Sequence, residues 1–537
     1  MKIGQRLKNR LMRRADNTRL LLSLAFIIMV FVPLLRMFAH MDLQTVTSVI
    51  NAPSFAESVR NSLVAAGLTT LIVVVLAYAL AWCVERTTMR GKGIFNIIFA
   101  LPMLIPSVSH GMGLIILLGN NGILSRLLGI DIELYGLTGI VLGSVLYAFP
   151  VAYLMIADIM KYEDGAPYEA AEVLGIPAWR RFAKITLPYL RKPMISVIFA
   201  TFTLVVTDYG VPLMVGGKYN TIPVVMYQEV IGQLNFGKGA VYGSLLLIPA
   251  VVAFIMDCVN REREKNGNNA KPMKKHDGRG VRLAAFGLCG IICVMTLLPI
   301  VAFILLAFAK QYPVNLSATF DNIIKALNLR AGQYLCNSIV IAVAVAFLGT
   351  GIAFMTAYMA ARMKSRASRF LHLSAVTSAA IPGIVLGLSY VLCFRGSPLY
   401  GTIAILIMVN TVHFIASPYL MIYNSLSKIN GNMENVGHTL GISRMYMIRD
   451  VFVPMCRNTL LEMFAYFFVN SMMTISAVSF LATTANKPVS LMINTFEAQM
   501  QLGCAAVVSL MILAVNLLVK GIVFALKGKK GNHGVSE

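Results

Sequence analysis

Asp208, in the stretch TLVVTDYGVPLMVGG, is the ionisable residue whose setting most invites a chemical role. It lies about fifteen residues into an apolar run, where a carboxylate is costly and turns toward a cavity or a partner. Two roles stand open for it: lining a polar path, or hydrogen-bonding at a helix break beside Gly210 and Pro212. Thr203, Thr207 and Tyr209 are weaker lining candidates, and Asn470, Ser471, Thr474 and Ser476 form a second polar cluster in another apolar run. His110 and His413 also fall within or beside such runs, and each is read as a satisfied buried imidazole rather than a metal ligand. The other unusual segment is EAAEVLGIPAWRRFAKITLP, from Glu169 to Pro188, which is charged and basic amid apolar sequence.

Enzymatic chemistry has little support. No GxxxxGK[ST] phosphate loop occurs, so the chain is not expected to bind ATP itself. No nucleophile–base pair and no His/Cys cluster is visible. The eight cysteines are scattered without a C-x-x-C, and Cys289 and Cys293, which share a helix face, read as packed small residues. The expectation is no catalytic residue, no metal site and no cofactor bound by this chain.

The elements that must position these residues are membrane helices. Of the 537 residues 58% are hydrophobic and only 13% charged, with a mean hydropathy of +0.74. A soluble domain is about a quarter charged. Twelve apolar runs are long enough to span a bilayer: 19–39, 62–83, 95–118, 136–160, 193–216, 240–259, 283–309, 337–360, 370–394, 401–425, 458–481 and 502–525. None alternates as a barrel strand would. The expected fold class is an all-α polytopic membrane protein of about twelve transmembrane helices. The first run, with basic residues before it and no small-residue cleavage pattern after it, reads as an uncleaved anchor.

The net charge of +23 is a topology signal rather than a nucleic-acid site. Lys and Arg gather in alternate loops: Lys2, Arg6, Lys8, Arg10, Arg13 and Arg14; Arg86, Arg90 and Lys92; Lys161 to Lys192; Arg261 to Arg282; Arg362, Lys364, Arg366 and Arg369; Lys428 to Arg457. The stretch 40–58 has none, and 119–135 has only Arg126. Both termini are therefore expected in the cytoplasm.

The sequence also repeats itself. NSLVAAGLTT at Asn61 answers NSIVIAVAVA at Asn337, and Pro106 and Gly111 answer Pro382 and Gly387, at an offset of 276 residues. EVLGIPAWRRFAKITLP answers HTLGISRMYMIRDVFVP at an offset of 266. Six spans per half give the halves one orientation, with a pathway expected between them. The expected domains are a first six-span unit at 1–260 with its polar loop at about 161–192, a basic cytoplasmic linker at 261–282, and a second six-span unit at 283–537 with its loop at about 426–457.

Each polar loop reads as two short helices at an angle. In the first copy Pro167 opens YEAAEVL, Gly175 ends it in the left-handed region, Pro177 opens AWRRFAKI, and Pro188 closes that helix before the fifth span. In the second, MENVGHTL ends at Gly441, Ser443 is a possible N-cap, and Pro454 closes RMYMIRDV. An interfacial helix lying on headgroups would also be basic, but it does not require Gly175 and Gly441 at matching places.

The pattern E-A-A, three residues, Gly, nine residues, Ile-x-Leu-Pro, here Glu169, Ala170, Ala171, Gly175, Ile185, Leu187 and Pro188, resembles the EAA signature of the membrane subunits of binding-protein-dependent ABC importers. The resemblance covers essentially the whole chain as two fused permease units of six spans each. It implies that the segment is a coupling helix docked on a separate ABC ATPase, and that an extracytoplasmic solute-binding protein delivers the cargo. The second copy departs from it. With Gly441 as anchor, Asn435 stands at the Glu position, Val436 and Gly437 at the Ala positions, and Glu434 is displaced by one; Val451 and Pro454 are kept. The two docking sites are expected to be unequal. Fused permeases of this kind resemble importers of ferric iron, aminoalkylphosphonates, thiamine and polyamines, with iron slightly favoured over phosphonate. The competing reading is a secondary carrier driven by an ion gradient, which also has two parallel six-span halves. It predicts intramembrane charge pairs, and Asp208 has no evident basic partner.

Overall fold

A computed structural model describes residues 17–129, 133–260, 271, 273–363 and 365–528. The N-terminal basic residues Lys2 to Arg14, linker residues 261–270 and 272, and Lys364 lie outside the described residues. Among those described, eight helices are long and apolar enough to cross a membrane, and three bent pairs bring the count to eleven. The apolar run at 458–481 supplies a further helix of only 17 residues, Arg457–Met473. The sole sheet among the described residues is a two-stranded hairpin, Ala309–Gln311 with Asn315–Ala318.

The prolines singled out in the repeat mark the bends. Pro106 lies between Lys92–Leu104 and Ser107–Leu127, which meet at 102°, and Pro382 lies between Arg366–Ala380 and Gly383–Phe394, which meet at 110°. A residue before proline is pushed out of the helical region, so both spans break at one place in the repeat. Paired hydrogen bonds show the same repetition. Ser62 Oγ accepts the Ile222 N–H at 2.8 Å, and Ser338 Oγ accepts the Val489 N–H at 2.8 Å. Asn61 donates to the Asn220 carbonyl and Asn337 to that of Ala485, both at 3.1 Å.

By packing, the chain forms two compact units. One comprises 44–329 and 492–510; the other comprises the residues up to 43 together with 330–491 and 511–537. The leading span of each sequence half thus packs with the body of the other half. In the first unit the core is built where Val73, Ala77 and Leu80 meet Phe149, Ala152 and Tyr153, with Phe99 edge-on to both rings. Small residues let helices approach closely where burial from water gives no drive, as within a bilayer. A Cβ at Gly113 would stand 2.8 Å from Pro299, and in the other unit one at Gly349 would stand 2.7 Å from the Phe467 ring.

Candidate functional site: two polar loops and two helix breaks

The first polar loop folds as Ala166–Val173, a reversal at Gly175, and a second helix from Ala178. Gly175 has φ +66° and Gly441 φ +70°, the left-handed conformation expected of both. The Ile176 N–H reaches the Ala171 carbonyl at 2.9 Å and the Ile442 N–H reaches that of Gly437 at 2.9 Å, the six-to-one bond of a Schellman end. Ser443 stands at the N-cap of Arg444–Met447 but its side chain makes no capping bond.

Pro188 does not close the second short helix of the first loop, whereas in the second loop the helix ends at Met455, one residue after Pro454, and a turn at Cys456 separates it from Arg457–Met473. A single helix runs Ala178–Val206 through Pro188. The reason lies one turn earlier, where Phe182–Thr186 and Ile448–Phe452 are π-helical and the Leu187 and Val453 N–H groups bond five residues back. The wider turn makes room for a ring that would clash in a regular helix.

Each loop exposes large apolar side chains among its charges. Val173, Leu174 and Trp179 are exposed in the first, and Leu440, Met445 and Tyr446 in the second. Ile185 and Val451 are half-buried, Ala170, Leu187, Pro188 and Pro454 exposed, and Ala171 buried. Gly437, at the second Ala position, has its own cause: a Cβ there would stand 2.1 Å from the Met447 sulfur.

The charges are wired differently. Arg86, at the end of the second span, pairs with Glu163 in a buried ion pair whose side chains are 7% and 4% exposed. The Tyr168 hydroxyl donates to the same carboxylate. Burial, with Glu163 accepting its proton, raises the Tyr168 phenol above the usual tyrosine range. Glu169 pairs with Lys271 of the linker. In the second half Arg362, which the repeat offset places opposite Arg86, holds Glu434: Nε reaches Oε1 at 2.6 Å while a second guanidinium nitrogen meets Oε2. The same guanidinium donates to the Ile429 carbonyl at 2.6 Å and that of Asn430 at 2.9 Å. Asn435 is exposed.

Asp208 is not within a helix. The fifth span ends at Val206, and Asp208 occupies the break before Gly210–Val215, its Oδ2 accepting the Val211 N–H at 3.0 Å. The Ser107 hydroxyl also bonds its carboxylate. Thr207 donates to the Thr203 carbonyl at 2.7 Å, and Tyr209 is buried and stacked on Tyr227 at 5.1 Å. In the second half the repeat offset places Thr474 opposite Asp208, just beyond the helix Arg457–Met473, with its carbonyl accepting from Ser490 at 2.8 Å. Ser471 is buried, and Asn470 donates to the Tyr466 carbonyl at 2.8 Å. Ser476 Oγ and the His413 ring both crowd Gly383, 2.3 and 2.9 Å from where a Cβ would stand.

Neither histidine is fully satisfied. His110 Nδ1 lies 3.2 Å from the Pro106 carbonyl, but its Nε2 and His413 Nδ1 have no hydrogen-bond partner among the described residues. Asn410, one helical turn before His413, is buried with both amide atoms likewise unpartnered. Sequence reading passed over Asn410; an amide in an otherwise apolar run was the signal. Among the described residues no three His, Cys, Asp or Glu side chains group as metal ligands.

Comparison with known proteins places this geometry. The family model described as the binding-protein-dependent transport system inner membrane component matches twice, over residues 86–262 and 349–530. Relatives include the putative ferric transport system permease protein FbpB 1 of Haemophilus influenzae, 24% identical over 82% of this chain and 72% of that protein. The ferric transport system permease protein FbpB of Actinobacillus pleuropneumoniae is 23% identical over 82% of this chain and 66% of its own length. The molybdenum transport system permease protein ModB of Azotobacter vinelandii is 27% identical over 37% of this chain but 91% of its own. Two matched domains and the internal repeat agree: the chain belongs to the family of binding-protein-dependent inner-membrane transport components and is a fused double permease of an ABC importer.

Proposed function

We propose that this permease imports ferric iron, delivered by an extracytoplasmic binding protein and driven by an ABC ATPase that docks on both coupling loops. The observation that carries the docking assignment is the matched pair of Schellman-ended helices, each with an exposed apolar tip. An apolar tip held rigid in water favours a complementary cleft on another protein. Glu169, Ala170, Ala171, Gly175, Ile185, Leu187 and Pro188 shape the first tip; Glu434, Asn435, Gly441, Val451 and Pro454 shape the second. ATP draws two ATPase subunits together, the coupling loops follow, and the population shifts between an inward- and an outward-open arrangement. This chain supplies mechanical transmission and a selective path, with hydrolysis on the ATPase and both of its own termini in the cytoplasm. Within one unit Asp208, Thr207 and Tyr209, and within the other Asn470, Ser471, Thr474 and Ser476, are the residues assigned to transport at the helix breaks. The choice of iron rests on the relatives named for ferric transport that match across both halves.

The test is to tag the chain in its host, crosslink mildly, and identify the proteins that co-purify. The binding protein recovered is then titrated with ferric iron, aminoethylphosphonate, molybdate, thiamine and polyamines. An ATPase plus an iron-selective binding protein is the expected result. A binding protein selective for another solute reassigns the cargo. Recovery of neither, with uptake that survives ATP depletion and collapses with the ion gradient, overturns the ATP-driven reading.

A further inference from the structure

The linker reads in sequence as a polar tether, yet its described residues are fastened at two points. Lys271 makes three contacts with the first coupling loop. Its N–H donates to Asp164 Oδ1 at 3.1 Å, its carbonyl accepts the Gly165 N–H at 2.8 Å, and its ammonium pairs with Glu169. Five residues on, His276 is bridged to the end of the second span. Its N–H donates to the Arg86 carbonyl at 2.8 Å, its carbonyl accepts the Thr88 N–H at 3.1 Å, and its ring lies 5.7 Å from Trp82. Asp277 accepts the Thr88 hydroxyl at 2.5 Å. Between these anchors Lys274 and Lys275 are exposed and border a cleft of about 600 Å³, which Glu172 and Arg181 of the coupling loop also line.

We propose that this strap is a third element of the first docking surface, so that the ATPase meets the linker as well as the coupling helix there. The inference rests on the ATPase-docking reading above. In this chain the Glu169 carboxylate is already paired with Lys271; the exposed charges of the second short helix, Arg180 and Lys184, and of the strap, Lys274 and Lys275, are basic, against the exposed carboxylates of Glu172 and of Asp277, which pairs with Arg282. The partner that fits is a cytoplasmic protein surface with an apolar cleft rimmed by carboxylates. The second loop is framed otherwise, with Glu434 held by Arg362 and Arg449 beside Asp450.

The experiment measures affinity of the purified ATPase for the detergent-solubilised full chain as a function of ionic strength. Lys274→Glu with Lys275→Glu is expected to weaken binding about fivefold at low salt and to flatten the salt dependence. Lys274→Gln with Lys275→Gln is expected to give a smaller loss in the same direction, and it carries the test if the charge-reversed chain does not fold. Unchanged affinity and salt slope in a folded variant of either kind overturns the inference and leaves the docking reading intact. A wild-type chain that binds no ATPase overturns the docking reading itself.

Discussion

The two coupling loops share a backbone and differ in how their charges are tied. In both, the left-handed glycine and the six-to-one bond recur with the same length. In both, an arginine from the end of the preceding long span anchors the loop, but Arg86 takes Glu163 ahead of the coupling helix, whereas Arg362 takes Glu434 within it. The second loop has therefore not lost an acid. Its acid has moved one residue and been drawn inward, while in the first loop Glu169 stays at the surface and is met by the linker. The geometry of the tip is what the repeat retains; the electrostatics around it are free to diverge.

Variants can break or sharpen this comparison. The largest effect is expected from Arg86→Ala, which leaves Glu163 buried without its partner and should cost about 3–5 kcal/mol. Arg362→Ala should cost less, because Glu434 is partly exposed. Thermal unfolding in detergent measures both, and equal losses would erase the distinction drawn here. Next, Gly175→Arg and Gly441→Arg each force a side chain into the left-handed region, at roughly 1–2 kcal/mol, and place bulk at the docking tip. ATP-driven uptake into proteoliposomes should fall about tenfold in each, with membrane insertion unchanged. Normal transport by Gly175→Arg would refute the coupling assignment.

A middle-sized effect is expected at the breaks. Asp208→Asn keeps the bond to the Val211 N–H but removes the charge, and should lower uptake severalfold with little change in melting, if the charge serves the path. Thr474→Ala, at the matching place, should do less. The smallest effect belongs to Glu169→Gln, since its pair with Lys271 is exposed and worth at most about 1 kcal/mol. A melting loss as large as that of Arg86→Ala would show the linker pair to be structural.

Much of the scaffold was legible in the sequence because it depends on local backbone chemistry. Gly175 and Gly441 impose a conformation on their own residues, so their places in the repeat foretold two reversals; Pro106 and Pro382 stood out as matching positions, but the runs around them read as continuous spans and the two bends came only with the structure. Hydropathy located the spans but not their ends, so of the two settings left open for Asp208 it took the structure to place it at the break before Gly210 rather than inside a helix. Pro188 misled for a related reason: a π-turn one turn earlier relieves the clash, and nothing in the residue types of FAKIT announces it. The charge wiring was invisible. Lys271 and Glu169 are separated by 102 residues, and no periodicity relates them.

The unbroken helix Ala178–Val206 sets a limit on how far the gate can move. Its 29 residues rise about 1.5 Å each, so the coupling tip and the break that holds Asp208 are the two ends of one rod roughly 40 Å long. A rod transmits stroke without gain along its axis, and its points of compliance are the π-turn at Phe182–Thr186 and Pro193, where a ladder hydrogen bond is missing. On the docking reading proposed above, axial displacement at the Asp208 end cannot exceed what an ATPase imposes at the tip. Any wider opening must then come from tilting or bending the rod, and these two places are where it would be absorbed.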